Sequence, residues 1–465
     1  MSLRSAHVLP LAALLLAGCG RAPAGPPDRV IVLVLVDTLR RDSLSCYGNA
    51  RDVTPSIDAL AADGLRFEQA IAASGWTLPS TASLLTGVSP LVHKAEGRGT
   101  RLTPVSPDVP TGAELLRAAG FRTVAFTNAA FVNPLLGLTR GFDVVSHHHA
   151  YNHEIRRANR TVDEALAVIA DHGGRDTFAL IHLFDPHLDY APPARFAELY
   201  REGLDGPRPP FAWEDCTDLE LGEVGETPDP ARAAAVRAAY DAEVHFVDRQ
   251  IGRLVAELER LGLYRNATLI VTADHGEEFW DHAGFEHGHS LYDELVRVPL
   301  VVRFPADLED VPRGVVVGAQ VRLIDVLPTV FELAGVVAPD LFEGRSLLPL
   351  ARGEAEDERV AFSFGTLYGE EDASALRTGR YKLIVDPERG STELYDWVRD
   401  PGEQDDLAQR EPELVARLRG ELETLMAELR ASAADFREGE LQRLAPAEME
   451  DVLEQLRSLG YLGDE

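Results

Sequence analysis

A chain of 465 residues, 45% apolar and 26% charged, has the composition of an ordinary globular protein and the length for one large α/β unit plus a smaller one. Its 76 acidic against 45 basic side chains leave a net charge of −31, which argues against nucleic acid as the main partner, because no basic surplus exists to neutralise phosphates. An anionic substrate stays open, since a bound metal inverts the local field.

In chain order, Arg4 and His7 precede an apolar run from Val8 to Leu16, and small Ala17 and Gly18 come before Cys19. The run is too short for a permanent membrane span and reads as a signal peptide over residues 1–18. The sequence LAGC resembles a bacterial lipobox. That implies a lipid on Cys19 and a protein tethered in the bacterial cell envelope, in the periplasm or at the cell surface; Gly20 in place of Asp implies the outer membrane. Plain secretion with an incidental cysteine is the alternative. Residues 19–28 form a Pro/Gly linker, and Cys46 and Cys216 either pair or stay as buried thiols.

A large domain is expected over 29–338. VIVLVLV, Val30 to Val36, is a continuous β-branched and leucine run suited to a buried parallel strand. It ends in Asp37, a candidate metal ligand beyond a strand's carboxyl end, or else a turn cap. FRTVAFTN ends a strand near Asn128, RRANRTVDEALAVIADHG is helical, and TFALIHLFDPH carries a strand into Asp185 and His187. Ala231 to Gly262 is a long amphipathic helix. ATLIVTADHGEEF is another buried strand, delivering Asp274, His275 and Glu277. Several such residues at adjacent strand ends make a pocket. After Gly335 short strands (YKLIVD, STELYD) and a turn at Asp400 to Gly402 predict a small α+β subdomain over 339–430, with helix from Glu411 to about Arg437 and a helical tail over 431–465. Residues 203–230, rich in Pro, Gly and acid, read as a surface loop or lid.

The segment SGWTLPSTASLLTG, Ser74 to Gly87, draws these elements together. Pro79 suits the first turn of a helix, and Leu84 and Leu85 give it an apolar face. Thr77 therefore stands at a helix N-terminus, where backbone N–H groups and the dipole favour anions. With Asp37, Asp274 and His275 it supplies two carboxylates, an imidazole and a hydroxyl, a donor set for a divalent cation that would activate the hydroxyl.

In this order and spacing the motifs resemble the sulfatase family of the alkaline-phosphatase superfamily. DTLRRDSLSCYG is similar to the opening metal loop, WTLPSTASLLTG to the nucleophile motif and SPLVHKAEG to the segment after it. FDPHLDYAPP, TADHGEEF and GHGHSLYDELVRVPL resemble later site motifs, and LIDVLPTVFELAG, GRSLLPL, RYKLI and ELYDWVRDPGE the C-terminal portion. The resemblance implies a doubly wound, mixed or parallel sheet with helices on both faces, and an ester hydrolase or transferase acting on an anionic small molecule, glycan or lipid headgroup.

The departures from the family are informative. Its nucleophile is a cysteine or serine oxidised to formylglycine; here the position is Thr77, for which no formylglycine is expected. Thr81 replaces an arginine, Asn128 and Ala130 replace a lysine and a histidine, Thr38 replaces a second aspartate, and Asp274-His275 replaces an Asp-Asn pair. The change moves the metal preference from calcium toward zinc or manganese and resembles the phosphodiesterase and phosphoethanolamine-transferase branches. His187 and His289 match positions that touch the transferred group or protonate the leaving oxygen. Asp185, His187 and His289 are alternatively a second metal set, Asn128 and His93 fall at positions near the substrate, with a structural role the alternative for His93, and His282 and His287 are expected at the pocket mouth. Lys382 is expected to be structural or to make a remote substrate contact. Three readings follow: a phosphoester hydrolase or phosphotransferase using Thr77, a sulfuric ester hydrolase, and an inactive binding lipoprotein.

Overall fold

The computed structural model describes residues 29–440 other than 99–100, 129, 149–154, 172, 202–207, 212–228 and 369–370. The signal segment, Cys19, the linker, Cys216, most of the 203–230 loop and the tail beyond 440 lie outside the described residues.

The main sheet has eight strands in the order Val315–Arg322, Leu65–Ile71, Arg297–Arg303, Ala267–Ala273, Val30–Val36, Thr177–Leu183, Arg122–Asn128 and Val144–His148. From Ala267–Ala273 to Val144–His148 the strands are parallel, while Arg297–Arg303 is antiparallel to both neighbours. Val30–Val36 lies inside the sheet with every residue buried, as an apolar strand covered on both faces must be. On one side Pro230–Arg260 packs against Ala158–Ala170 and Pro55–Ala62, and a second group joins Thr77–Thr86, Gly112–Ala118 and Val326–Ala334. The doubly wound fold implied by the motifs is the fold observed.

Val36 pairs with Ala273 on one side and Leu183 on the other. Three adjacent strands thus end level, and the residues that follow them build the site.

The C-terminal portion is a four-stranded antiparallel sheet, Ala361–Phe364, Ser374–Arg377, Tyr381–Asp386 and Ser391–Asp396. Helix Pro412–Ser432 covers it through Leu418 and Leu422. The helix stops at Ser432, so the expected helical tail does not begin at 431. Instead Arg437 returns to pair with Asp108 of the large domain. Cys46 is a free, partly buried thiol whose pKa burial and the neighbouring Asp58 push up to about 12.

Candidate active site

Strand register places the two aspartates together. Asp37 and Asp274 directly follow the paired residues Val36 and Ala273, so they leave the sheet side by side. His182 pairs with Leu35 and, two residues back in parity, projects to the face of Asp37. Its Nδ1 accepts the backbone N–H of Asn128 at 3.3 Å, which leaves the proton on Nε2 to be donated to Asp37 Oδ2 at 3.2 Å. His275 is held in the opposite tautomer: Nδ1–H donates to the Gly276 carbonyl at 2.8 Å, so Nε2 carries the lone pair.

That Nε2 faces the nucleophile candidate. Thr77 opens helix Thr77–Thr86 behind an extended Trp76, and its Oγ1 lies 3.1 Å from His275 Nε2. The same nitrogen is 3.6 Å from Asp37 Oδ1 and 3.6 Å from Asp274 Oδ2. Both carboxylate oxygens are buried without a hydrogen-bond partner among the described residues. Asp37, Asp274 and His275 offer ligand atoms within 4.8 Å of one another, and no second group of this kind occurs among the described residues.

The electrostatics call for a cation. Burial and the charge of Asp37 raise the Asp274 pKa far above the usual carboxylate range. Asp37 is held low: burial pushes it up, but the His182 hydrogen bond and the nearby imidazoles outweigh that. Two adjacent buried carboxylates thus share one charge, whereas a divalent cation lets both ionise. Burial lowers the His275 pKa and keeps the imidazole neutral, as a ligand must be. Orphaned oxygens, a fixed tautomer and this donor set fit a divalent cation.

The helix carrying Thr77 is anchored from two sides. Ser80 Oγ donates to the Asp274 carbonyl at 2.6 Å. His93 accepts the Ala95 N–H on Nδ1 at 3.0 Å and presents Nε2–H to the Pro79 carbonyl at 3.1 Å and Ser83 Oγ at 3.0 Å. His93 is therefore a brace behind the helix, and burial drives its pKa down to about 3.

The remaining candidates divide. His187 stays close: it stacks on Phe184 at 4.5 Å and meets His287 edge-on at 5.0 Å, and His287 lies 4.5 Å from His275. His187 Nδ1–H donates to the Leu188 carbonyl at 2.5 Å. His287 Nδ1 bonds Glu277 Oε1 at 2.7 Å, and Tyr190 donates to Glu277 Oε2 at 2.9 Å. His289 instead pairs with Glu278 at 2.7 Å, on the short hairpin Glu278–Phe279/Phe285–Glu286. Asp185 sits one step past the level of Asp37 with the wrong parity. It accepts from the backbone N–H of Ala158 at 2.8 Å and from Arg157 at 3.0 Å, at the start of helix Ala158–Ala170. Asp185, His187 and His289 accordingly do not converge as a second metal set. Asn128 is occupied in structure, donating to the His182 carbonyl at 2.5 Å and accepting from Arg156 at 3.1 Å. His282 bonds Glu294 at 2.6 Å and the Glu403 carbonyl at 2.9 Å. Thr38 and Thr81, at positions where the family carries charge, have buried hydroxyls with no partner among the described residues.

Sequence reasoning missed His182, whose only signal is a lone imidazole in an otherwise apolar strand, and gave no role to Glu277. Lys382 is buried against Asp293 and Glu403, both at 2.9 Å, which suits the structural one of the two roles expected for it.

The sulfatase family model matches residues 29–336, and the C-terminal model of N-sulphoglucosamine sulphohydrolase matches 280–431. An arylsulfatase of Clostridium perfringens is 26% identical over 82% of this chain and 90% of its own length. An N-acetylglucosamine-6-O-sulfatase of Bacteroides thetaiotaomicron is 25% identical over 87% of each. In fold, the chain is similar to the phosphonate monoester hydrolase of Silicibacter pomeroyi, at a TM-score of 0.71 and 24% identity over 88% of this chain and 97% of that one. A protein solved in complex with its substrate D-glucosamine-2-N,6-O-disulfate gives a TM-score of 0.71 and 21% identity, covering 88% and 98%. Motif order, sheet register and a match across most of the large domain agree: the chain belongs to the sulfatase family of ester hydrolases.

Proposed function

We propose that this protein hydrolyses or transfers phosphoesters in a metal-dependent reaction, with Thr77 as nucleophile. The observation that carries the reading is the 3.1 Å approach of Thr77 Oγ1 to His275 Nε2, beside two buried carboxylate oxygens that have no other partner among the described residues. Asp37, Asp274, His275 and Thr77 would hold the cation, zinc or manganese rather than calcium on the chemistry of the donor set. When bound it supplies positive charge that favours the Thr77 alkoxide and offsets charge developing on the transferred group.

The chain's own residues do the rest. Thr77 Oγ, its proton released to solvent, attacks phosphorus, the bond to the ester oxygen breaks, and the departing oxygen takes a proton from His187 Nε2, which carries one only in the imidazolium form because Nδ1–H is committed to the Leu188 carbonyl. Water or an acceptor alcohol then cleaves the phospho-threonine. His182 fixes Asp37, Gly276 fixes His275, and Ser80 and His93 fix the helix of Thr77.

Phosphorus is favoured over sulfur because the threonine methyl bars oxidation to an aldehyde, because Thr81, Asn128 and Ala130 replace the family's cationic sulfate-holding groups, and because Thr38 and Asp274-His275 change the metal set. Sulfuric ester hydrolysis is the second reading, supported by the arylsulfatase and N-acetylglucosamine-6-O-sulfatase relatives. A panel of nitrophenyl phosphate, phosphodiester, phosphonate and sulfate substrates decides between them. Turnover of the sulfate above every phosphorus ester would refute the first reading, and a metal-loaded protein inert on all four would favour the binding role. We further propose that the mature protein begins at a lipidated Cys19 in the cell envelope; intact-mass analysis of membrane-extracted protein tests it, and an unmodified Cys19 refutes it.

A further inference from the structure

The segment that leaves the sheet at Asp37 is held by a side chain from another element. Asp37 N–H donates to the Leu183 carbonyl at 2.9 Å, one residue past the end of its strand, and the chain then turns. The turn is made by Thr38 at φ 54°, in the left-handed region where a β-branched residue is an outlier. The threonine side chain does not explain that conformation: its hydroxyl is buried and has no partner among the described residues. The backbone around it does. Tyr240, on the long helix Pro230–Arg260, donates its hydroxyl to the Thr38 carbonyl at 2.8 Å and accepts the Arg40 N–H at 2.8 Å. One phenol oxygen thus closes the turn from both ends. The stretch from Asp37 to Arg40 is buried throughout, so either backbone group would be costly to leave unpaired. Burial raises the Tyr240 pKa far above the usual phenol range, and the protonated hydroxyl can give one hydrogen bond while taking the other.

The phenol is itself fixed. Its ring meets Phe279 edge-on at 5.0 Å and Tyr190 edge-on at 5.7 Å, and Tyr190 donates to Glu277 at 2.9 Å. Arg40, at the far end of the turn, reaches the Glu277 carbonyl at 2.8 Å and Asp281 at 2.7 Å. These contacts tie the segment after Asp37 to the segment after Asp274 and His275, the two that carry the candidate cation ligands. A strained residue persists only where its surroundings over-determine it, and at Thr38 the phenol oxygen is the group placed to do so. We propose that Tyr240 is a positioning residue for the cation: its hydroxyl holds Thr38 in the left-handed turn and so aims the Asp37 carboxylate at the point shared with Asp274 and His275. The proposal rests on the cation-dependent reading of that centre and adds to it a residue outside the candidate ligand set.

Tyr240→Phe deletes that oxygen and keeps the ring. Chelator competition on the folded chain, with zinc and with manganese as probes, is expected to show affinity falling by at least about 10-fold. A tyrosine that only packs would lower the urea midpoint of the cation-free chain and leave the affinity of the folded chain unchanged. Thr38→Gly supplies the second arm. Glycine occupies the left-handed region freely, and the hydroxyl it removes has no partner among the described residues, so the turn no longer depends on the clamp. Adding Tyr240→Phe to Thr38→Gly is therefore expected to cost no more than about threefold in affinity, a non-additivity that marks the two residues as acting together. Wild-type affinity in Tyr240→Phe overturns the proposal whatever the urea midpoint does. An equal loss with threonine and with glycine at position 38 overturns it too, because the hydroxyl would then act by a route other than the turn. If Tyr240→Phe alone does not fold, recovery of folding and of cation uptake in the double variant upholds the clamp, and failure to recover overturns it. A wild-type chain that takes up neither cation ends the cation reading and the clamp with it, whereas uptake that Tyr240→Phe leaves unchanged ends the clamp alone.

Discussion

His182 is not among the candidate cation ligands, yet it bonds one of them, Asp37. His182→Phe keeps a planar ring, somewhat larger, and deletes both nitrogens. It removes the Nε2–H donated to Asp37 Oδ2 at 3.2 Å and the Nδ1 that accepts the Asn128 N–H at 3.3 Å. Asp37 would then keep a buried second oxygen with nothing to satisfy it. A hydrogen bond to an ionised carboxylate contributes about 1.5–3 kcal/mol. At about 1.4 kcal/mol per tenfold, full expression at the cation predicts a loss of affinity of roughly 10- to 150-fold, in line with the effect of removing groups that orient metal ligands. The orphaned Asn128 N–H costs stability as well, about 1–3 kcal/mol. Chelator competition for zinc and for manganese measures the first quantity and urea unfolding the second. An affinity within twofold of wild type, in a protein that has lost the Nε2 donor, would refute the claim that His182 holds Asp37 in place.

Thr77→Ala is expected to abolish turnover while the cation stays bound, whereas Asp274→Asn weakens cation binding itself; wild-type activity in Thr77→Ala ends the nucleophile proposal. His287→Ala should lower kcat/KM by about 10-fold or more, the scale of a group near the reacting atoms, while His289→Ala, paired with Glu278 on the hairpin, should change it little; the reverse order would show the hairpin histidine to be the functional one. His93, its pKa lowered by burial to about 3 from an ordinary 6.5, stays neutral when folded. The unfolded chain takes up the proton near 6.5, so this stability is complete above that pH and is lost as pH falls toward 3, at up to about 1.4 kcal/mol per unit. His93→Gln should flatten that part of the urea-unfolding profile, and an unchanged slope refutes the assignment. Lys382→Met leaves Asp293 and Glu403 buried without their ammonium and should destabilise by about 3–5 kcal/mol, read by denaturant unfolding; a loss below 1 kcal/mol on that scale sinks it.

The sequence made legible what is continuous along the chain. The strand at Val30–Val36 was read at its observed bounds, because a fully buried parallel strand is an uninterrupted apolar run. The long helix, expected over 231–262, occupies Pro230–Arg260. Asp37, Thr77, Asp274 and His275 were found together because each ends or begins an element at one edge of one sheet. What register decides was hidden. Asp185 and His182 lie three residues apart on the same segment, but parity turns His182 toward Asp37 and Asp185 toward the start of helix Ala158–Ala170. His287 and His289 differ only by the turn at Gly288, φ 82°, which sends one imidazole to Glu277 and the other to Glu278.

The C-terminal sheet also proves to be part of the machinery that positions Thr77. Residues 72–75, which lead into the helix of Thr77, are held by partners far along the chain. Ser363 Oγ donates to the Ala72 carbonyl at 2.7 Å, Phe364 N to the Ala73 carbonyl at 2.9 Å, and Gly288 N, itself tied to Leu367, to the Gly75 carbonyl. Asp293, downstream of the histidine-bearing loop, is gripped by Arg377 and Lys382, and its N–H by Glu403. A helix N-terminus can aim a hydroxyl only as well as the chain entering it is fixed. Here that fixing comes from residues about 210 to 290 positions later, which is why a motif read locally located Thr77 but could not show what holds it still.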